Sequence, residues 1–174
     1  MIPTLHTERL TLRPPMLSDF EHWAAFFASP RADTERGQHK REDAWQIWAS
    51  DIANWTLRGY GPFRVESRDT GAYLGEVGIY HADDYPGPEI GWFMIPEAEG
   101  KGYAAEAARA VLRWARDEMG WSELVSFIDP NNARSLALAE KLGGRIDASR
   151  VAPEPKDRVI VHDLSKADLG GEAA

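Results

Sequence analysis

The 174-residue chain contains no cysteine. This absence excludes disulfide bonds, metal sites built on thiolates, and enzymes that form a covalent intermediate on a cysteine. The five histidines are scattered along the chain, and no H-x-x-x-H or paired-carboxylate spacing brings metal ligands together. We therefore expect a protein without a bound metal.

Long apolar runs are also missing. No segment approaches the ~20 apolar residues of a membrane-spanning helix, and the first residues lack the charged-then-apolar pattern of a secretory signal. Positive charge is scarce, because 20 lysines and arginines stand against 28 aspartates and glutamates, for a formal net charge of −8. These absences predict a cytoplasmic protein that binds neither membrane nor nucleic acid, and the negative charge suits a cationic partner.

Apolar material is present in the amount that one core needs. Hydrophobic residues form 43% of the sequence, so we predict a single domain over residues 1–166 and a disordered tail over residues 167–174. Periods of two and 3.6 residues predict an α+β fold, a mostly antiparallel sheet of about seven strands flanked by about four helices. The predicted strands are Leu10–Arg13, Phe63–Glu66, Tyr73–Tyr80, Glu89–Ile95, Leu124–Ile128, Arg145–Val151 and Arg158–Leu164.

The most informative stretch runs from Glu89 to Met119, where an apolar strand, a Pro/Gly loop and an Ala-rich helix follow one another. Two glycines in the loop, Gly100 and Gly102, allow a tight turn and the close approach of a ligand. The N–H groups of the first helical turn lack partners within the helix and attract anions. The order of these elements predicts a phosphate-binding site.

Two nucleotide-binding patterns can be compared with this loop. Residues 100–105 fit G-x-G-x-x-A, as in dinucleotide-binding folds, and the next predicted strand is followed by an acidic residue, Asp129. Too few strand and helix units follow Asp129 for that fold. A P-loop is excluded because Lys101 lies between the glycines and no Ser or Thr follows it.

Three stretches resemble a known family. The loop at residues 99–104, EGKGYA, resembles the Q/R-x-x-G-x-G/A signature of the GNAT N-acetyltransferases, and residues 132–144 resemble the family's N-x-x-S/A motif followed by E-K-L-G. The opening TERLTLRP at residues 7–14 resembles the start of the ribosomal-protein alanine acetyltransferase branch. The chain is thus similar to this family over roughly residues 5–164.

The resemblance implies a GNAT fold and direct transfer of an acetyl group from acetyl-CoA to a primary amine in a ternary complex. The acceptor would be a protein N-terminus or a small-molecule amine, and the protein a monomer or homodimer. It further implies that coenzyme A contacts a defined set of residues, which in this sequence is Phe93, Met94, Ile95, Gly100, Lys101, Gly102, Tyr103, Ala104, Ala105, Asn132 and Ser135.

Two positions depart from the family pattern. Glu99 stands where Gln or Arg is usual, which would weaken cofactor binding if its carboxylate faces the diphosphate. Ala139 stands where many members carry a Tyr that protonates the departing thiolate, so Ser135 becomes the candidate donor, directly or through water. The alternative is that the sulfur leaves as a thiolate stabilised by nearby dipoles. With both positions changed, the alternative is a non-catalytic module of GNAT fold that binds or senses acyl-CoA.

The proposed chemistry also requires a base, because an ammonium acceptor must lose a proton before it attacks a thioester. Glu89 is the first candidate and matches a recurrent Glu of the branch, Glu76 on the adjacent strand is the second, and His81 is the third. The segments that would select the acceptor, residues 29–41, 83–88 and 152–157, carry no readable specificity pattern.

Overall fold

The computed structural model describes residues 2–165, so the tail predicted over residues 167–174 lies outside the described residues. Within residues 2–165, one eight-stranded sheet is flanked by four α-helices. The helices are α1 (Phe20–Phe27), α2 (Arg41–Leu57), α3 (Tyr103–Asp117) and α4 (Ala133–Lys141). The strands are β1 (Leu5–His6), β2 (Leu10–Arg13), β3 (Pro62–Ser67), β4 (Tyr73–Tyr80), β5 (Glu89–Met94), β6 (Glu123–Ile128), β7 (Arg145–Ile146) and β8 (Arg158–Asp163).

The strand order across the sheet is β1-β2-β3-β4-β5-β6-β8-β7. Neighbouring strands are antiparallel except for β5 and β6, which α3 connects as a parallel pair. A parallel pair needs such a crossover, because a tight turn can only join antiparallel strands. The predicted α+β fold with a mixed, mostly antiparallel sheet is confirmed.

The strand count and one strand length differ from the prediction. The described sheet has eight strands rather than about seven, because Leu5–His6 pairs with β2 ahead of the first predicted strand. The strand predicted over residues 145–151 ends at Ile146. Asp147 Oδ1 accepts hydrogen bonds from the Ser149 N–H at 3.0 Å and the Ser149 hydroxyl at 2.6 Å, and this side-chain turn replaces the extended backbone.

Successive residues at the end of β5 pack in different parts of the core, because they point to opposite faces of the sheet. Met94 belongs to the cluster that contains the buried alanines of α3, whose small side chains let the helix lie close to the sheet. Phe93 packs in a second cluster with Trp23 of α1 and Trp48 of α2. The end of β5 is therefore fixed from both faces.

The pairing between β5 and β6 is restricted to the start of β5 and the first half of β6. The ladder registers at one position, Glu89 opposite Val125. Next to it, the Ser126 hydroxyl donates to the Ile90 carbonyl oxygen at 2.7 Å and takes the place of a ladder bond. Beyond this point the strands diverge, which opens a gap in the sheet on the side that leads to α3.

The close approach of β3 to β4 generates the first prediction. A Cβ added at Gly78 would clash with the Pro62 Cα and lie 2.8 Å from the Gly61 carbonyl oxygen, both backbone atoms that cannot rotate away. We expect Gly78→Ala to lower the free energy of unfolding by about 2–3 kcal/mol in urea denaturation. Gly87→Ala, at a position with open space around it, is the control and should change stability little. Equal midpoints for the two variants would contradict the prediction.

Candidate active site

A cavity of about 420 Å³ lies beside the point where β5 and β6 diverge. Its walls come from β4, β5 and β6, from the loop that follows α1, from the start of α4 and from the segment before β8. Three glutamates on its walls, Glu35, Glu76 and Glu89, have carboxyl groups with raised pKa values. The cavity thus gathers titratable groups that lie far apart in the sequence.

Glu89 is the first residue of β5 and pairs with Val125 of β6. Its Oε2 accepts a hydrogen bond from the Phe127 N–H at 3.2 Å. Burial raises the pKa of Glu89 to about 7, and the Phe127 N–H opposes that rise by stabilising the carboxylate. A carboxyl group with this pKa gains and loses a proton near neutral pH, which is the property that a general base needs.

Glu76 lies on β4 opposite Phe93, with 3% of its surface exposed. Burial raises the pKa of Glu76 to about 8, and the negative charge of Asp51 acts in the same direction. The Tyr80 hydroxyl donates to Glu76 Oε1 at 2.9 Å. Since Glu76 is mostly protonated at neutral pH, it is a weaker candidate for the base than Glu89.

His81, the third candidate base, does not belong to this cavity. Its Nδ1 lies 2.8 Å from the Tyr60 hydroxyl, and its side chain is absent from the walls described above. Successive side chains of an extended strand point to opposite faces. The strand that directs Tyr80 into the cavity therefore turns the following His81 away.

Two residues of the polar loop after α1 enter the cavity without having been singled out in the sequence. Burial raises the pKa of Glu35 to about 7, and its Oε1 accepts a hydrogen bond from Asn132 Nδ2 at 3.0 Å. Arg36 donates to Asp51 of α2 at 2.5 Å. Burial acts to lower the pKa of Arg36, but the Asp51 carboxylate raises it more, so the guanidinium stays charged. The loop has no apolar periodicity, so no sequence signal could place these residues.

Asn132 caps α4 and connects two walls of the cavity. Its Oδ1 accepts from the Ser135 N–H at 3.1 Å, and its Nδ2 donates to the Thr34 carbonyl oxygen and to Glu35 at 3.0 Å each. One turn along, Ser135 Oγ lies 3.2 Å from Trp92 Nε1. The indole nitrogen can only donate, so Ser135 accepts this bond and keeps its own hydrogen for another partner.

The loop before α3 has the geometry of an anion site. Gly100 and Gly102 have φ angles of 71° and 81°, in the left-handed region that favours glycine, and Gly102 is the N-cap of α3. Tyr103, Ala104 and Ala105 form the first turn, whose N–H groups have no partner within the helix. With Lys101 between the glycines, the predicted loop residues lie together at the positive end of the helix dipole.

The off-pattern Glu99 is paired with two arginines. One carboxylate oxygen forms a short ion pair with Arg31, and the other accepts from Arg134 Nη1 at 2.9 Å. Glu99 therefore brings two guanidinium groups to the loop, and its own negative charge is outnumbered there. Arg31 precedes α2 and Arg134 lies in α4, so no local pattern associates either one with the loop.

The three residues at the end of β5 that are predicted to contact coenzyme A direct their backbone groups to different sides of the strand. The Ile95 N–H donates to the Leu74 carbonyl oxygen at 3.0 Å, and its carbonyl oxygen accepts from the Ala98 N–H at 2.9 Å. Alternate residues of a strand direct their backbone groups to the same side, so the N–H and C=O groups of Phe93 also point to β4. The backbone groups of Met94, and of Trp92 before it, are therefore directed toward the gap.

Residues 2–165 contain neither a metal-binding cluster nor a membrane-spanning helix. No three histidine, aspartate or glutamate side chains of this part come together as a metal site. No helix in the same range is long and apolar enough to cross a membrane.

Comparison with known proteins assigns the fold and loop to a family. Residues 9–145 match the Acetyltransferase (GNAT) domain, and the chain belongs to the GNAT acetyltransferase family. The predicted family is confirmed. The solved structure of an acetyltransferase from Agrobacterium tumefaciens str. C58 is 40% identical, covers 92% of this chain and 94% of that chain, and superposes with a TM-score of 0.90.

Curated relatives match over a shorter span. The uncharacterized protein YkkB of Bacillus subtilis (strain 168) is 37% identical over 97 residues, which are 52% of this chain and 56% of the relative. The match to a second relative from that strain covers 49% of the length of that relative. The chain therefore spans about half the length of these curated relatives.

The ribosomal-protein branch is one of several neighbours in fold. A ribosomal-protein-S5-alanine acetyltransferase from Vibrio fischeri has a TM-score of 0.67 at 17% identity, covering 91% of this chain and 94% of that one. A spermidine N-acetyltransferase from Vibrio cholerae, solved with CoA and spermine, has a TM-score of 0.72 at 16% identity, covering 92% and 98%. At such identities the likeness concerns the fold alone.

The raised pKa of Glu76 generates a prediction about stability. A carboxyl group whose folded pKa lies above its unfolded value stabilises the fold fully below about pH 4.5, and this contribution is lost as the pH rises toward 8. The side chain of Glu76→Gln cannot ionise, so we expect its free energy of unfolding in urea at pH 8.5 to exceed that of the parent by about 1–3 kcal/mol. At pH 5 the two free energies should be alike. Exposed Glu140→Gln is the control. An unchanged pH slope would contradict the prediction.

Proposed function

We propose that this protein transfers the acetyl group of acetyl-CoA to a primary amine, with Glu89 as the general base. The observation that carries the proposal is the position of Glu89. A carboxyl group with a pKa of about 7 lines the cavity at the point where β5 and β6 diverge. One gap in the sheet thus joins a base to an anion-binding loop.

The donor side of the gap fits coenzyme A in shape and charge. The left-handed glycines and first-turn N–H groups of α3 suit a diphosphate. Arg31 and Arg134 add positive charge beside them. The backbone groups of Trp92 and Met94 suit the two amides of the pantetheine arm. Coenzyme A would supply the acetyl group as an activated thioester.

The acceptor side favours a cation. Arg36 on the cavity wall is paired with Asp51, and Lys156 donates to Asp129 at 2.7 Å, so both positive charges of these wall residues are already balanced. Asp157 Oδ1 is buried with no hydrogen-bond partner among residues 2–165, so it can accept from a donor on the ligand. An ammonium group meets these conditions. The spermidine acetyltransferase of similar fold, solved with spermine, is consistent with an amine acceptor.

The residues would act in a fixed order. Ionised Glu89 accepts a proton from the ammonium group, and the neutral nitrogen attacks the thioester carbonyl carbon, forming the amide C–N bond. The C–S bond then breaks and its electron pair goes to sulfur, while the second proton of the nitrogen passes to that sulfur, so that the products are the amide and the free thiol of coenzyme A. Ser135 Oγ accepts a hydrogen bond from Trp92 and retains its own hydrogen, so it can donate to the departing sulfur. Glu76, protonated at neutral pH, would not compete as a base.

Replacement of Glu89 tests the chemistry. We expect Glu89→Gln to lower kcat about 100-fold with an amine acceptor, while its affinity for acetyl-CoA in isothermal titration stays the same. In the parent enzyme kcat/KM should rise with pH through about 7, because the ionised form of Glu89 is the active one. Glu154→Gln, an exposed carboxylate of the same cavity, is the matched control.

The titration also separates the proposal from its alternative. Binding of acetyl-CoA without activity on any of a panel of diamines, polyamines, aminoglycosides and peptides would favour the non-catalytic acyl-CoA-binding module. Absence of acetyl-CoA binding would overturn the transferase proposal as a whole.

Replacement of Glu99 tests the anion site. Removal of one negative charge beside the diphosphate leaves Arg31 and Arg134 unbalanced, so we expect Glu99→Gln to bind acetyl-CoA roughly 3–10-fold more tightly at low ionic strength. The gain should shrink at high salt. Exposed Glu97→Gln, two residues earlier, is the control. Weaker binding by Glu99→Gln would instead mean that the carboxylate is needed to hold the two arginines in place.

A further inference from the structure

We propose that Arg9, fixed by Thr7 and Glu106, is a positioning residue that sets the orientation of the Lys101–Gly102 peptide in the anion-binding loop. The inference rests on the proposed function, since it assigns a role in acetyl-CoA binding to residues that the cavity and the catalytic steps do not use. It starts from the turn between β1 and β2.

The turn between β1 and β2 is held by its own hydrogen bonds. The Thr7 N–H donates to the Leu10 carbonyl oxygen at 3.0 Å, and the Leu10 N–H donates back to Thr7 Oγ1 at 3.0 Å. Thr7 is almost fully buried. The backbone of Arg9, inside this turn, is therefore fixed before its side chain makes any contact.

Glu106, in the first turns of α3, attaches the helix to this turn. Its Oε1 accepts from the Thr7 hydroxyl at 2.6 Å and from the Arg9 N–H at 2.9 Å, and its Oε2 accepts from Arg9 Nε at 2.7 Å. Partial burial acts to raise the pKa of Glu106, but these donors outweigh it and hold the pKa below its ordinary value. The carboxylate is thus ionised and balances the charge of Arg9.

The rest of the Arg9 side chain contacts the loop on both sides of the helix N-cap. Its Nη1 donates to the Lys101 carbonyl oxygen at 3.0 Å, and its guanidinium lies 4.6 Å from the centre of the Tyr103 ring. A Cβ at Gly102 would lie 3.4 Å from Arg9 Nη2. The planar guanidinium of Arg9 therefore bridges Glu106 of α3 and the loop that precedes this helix.

The bond to the Lys101 carbonyl determines where the next N–H points. In a trans peptide the C=O and the following N–H are directed oppositely, and the described chain has no cis peptide. Because Arg9 holds the Lys101 carbonyl oxygen, the Gly102 N–H is directed away from Arg9. The glycines on either side make rotation of this peptide easy, and a rotated peptide would present a carbonyl oxygen to the diphosphate.

Arg9→Lys tests the inference, because lysine keeps the charge but cannot donate to Glu106 and to Lys101 in the fork geometry of arginine. We expect the KM and the calorimetric Kd for acetyl-CoA to rise about 10-fold, while kcat and the acceptor KM stay within about 2-fold of the parent. The salt dependence of binding should remain parallel to that of the parent, because the charge of Arg9 is balanced and does not contact phosphate.

Two further variants keep the result decisive. Glu106→Gln retains an acceptor oxygen but loses the charge, and should raise the acetyl-CoA Kd about 3-fold. Arg68→Lys is the matched control, since Arg68 donates to the Thr7 carbonyl oxygen at 2.7 Å and supports the same turn without touching the loop. It should leave acetyl-CoA binding unchanged. Thermal melting confirms that each variant is folded.

The outcomes separate the two proposals. No binding of acetyl-CoA by the parent protein overturns the proposed function and this inference together. Binding by the parent with equal Kd for Arg9→Lys overturns the inference alone. A loss of affinity in Arg68→Lys as large as that in Arg9→Lys also overturns it, because the effect would then come from the turn and not from the loop peptide.

Discussion

The divergence of β5 from β6 is the constraint on which the rest of the site depends. A sheet normally satisfies the backbone groups of each inner strand on both sides, yet these two strands pair at one position, Glu89 with Val125. Beyond it, one edge of β5 offers donors and acceptors without a neighbouring strand. A ligand with amides can complete the sheet there, and the carboxyl group of Glu89 lines the cavity beside the point where the two strands part.

Charge is distributed unequally along the gap. The end at α3 carries N–H groups, Lys101 and the two arginines held by Glu99. The cavity at the other end carries carboxyl groups whose burial disfavours their ionised forms. Positive charge thus collects at one end and titratable carboxyl groups at the other, although the chain as a whole is acidic. Net charge alone would not have indicated the anion site.

Local patterns predicted the parts of the site that are continuous in sequence. The glycine loop and the cap at Asn132 lie where their motifs placed them, and the parallel crossover is the one that the strand and helix order requires. These features depend on backbone conformation over a few residues, which composition and spacing encode. They account for the family, the fold and the donor half of the candidate site.

Contacts between distant segments could not be predicted in the same way. Glu35 and Arg36 come from a loop without periodicity, and Arg31 reaches Glu99 across 68 residues. His81 is a candidate base only through its closeness to Glu76 in sequence, and strand alternation turns it toward Tyr60. Ile95 follows Met94 in sequence, but its N–H donates to Leu74 of β4 and its carbonyl oxygen accepts from the Ala98 N–H, so both of its backbone groups are used inside the protein. Each difference arises from packing, which a single sequence does not reveal.

The side-chain amide of Asn132 connects helix α4 to the loop that follows α1. It caps the first turn of α4 and donates to the Thr34 carbonyl oxygen and the Glu35 carboxylate of the loop that lines the cavity. The N-terminus of α4 and this wall of the cavity are therefore joined directly. Any coupling that this amide carries between α4 and the loop is reciprocal, because linkage requires a ligand at either place to change the affinity of the other by the same factor.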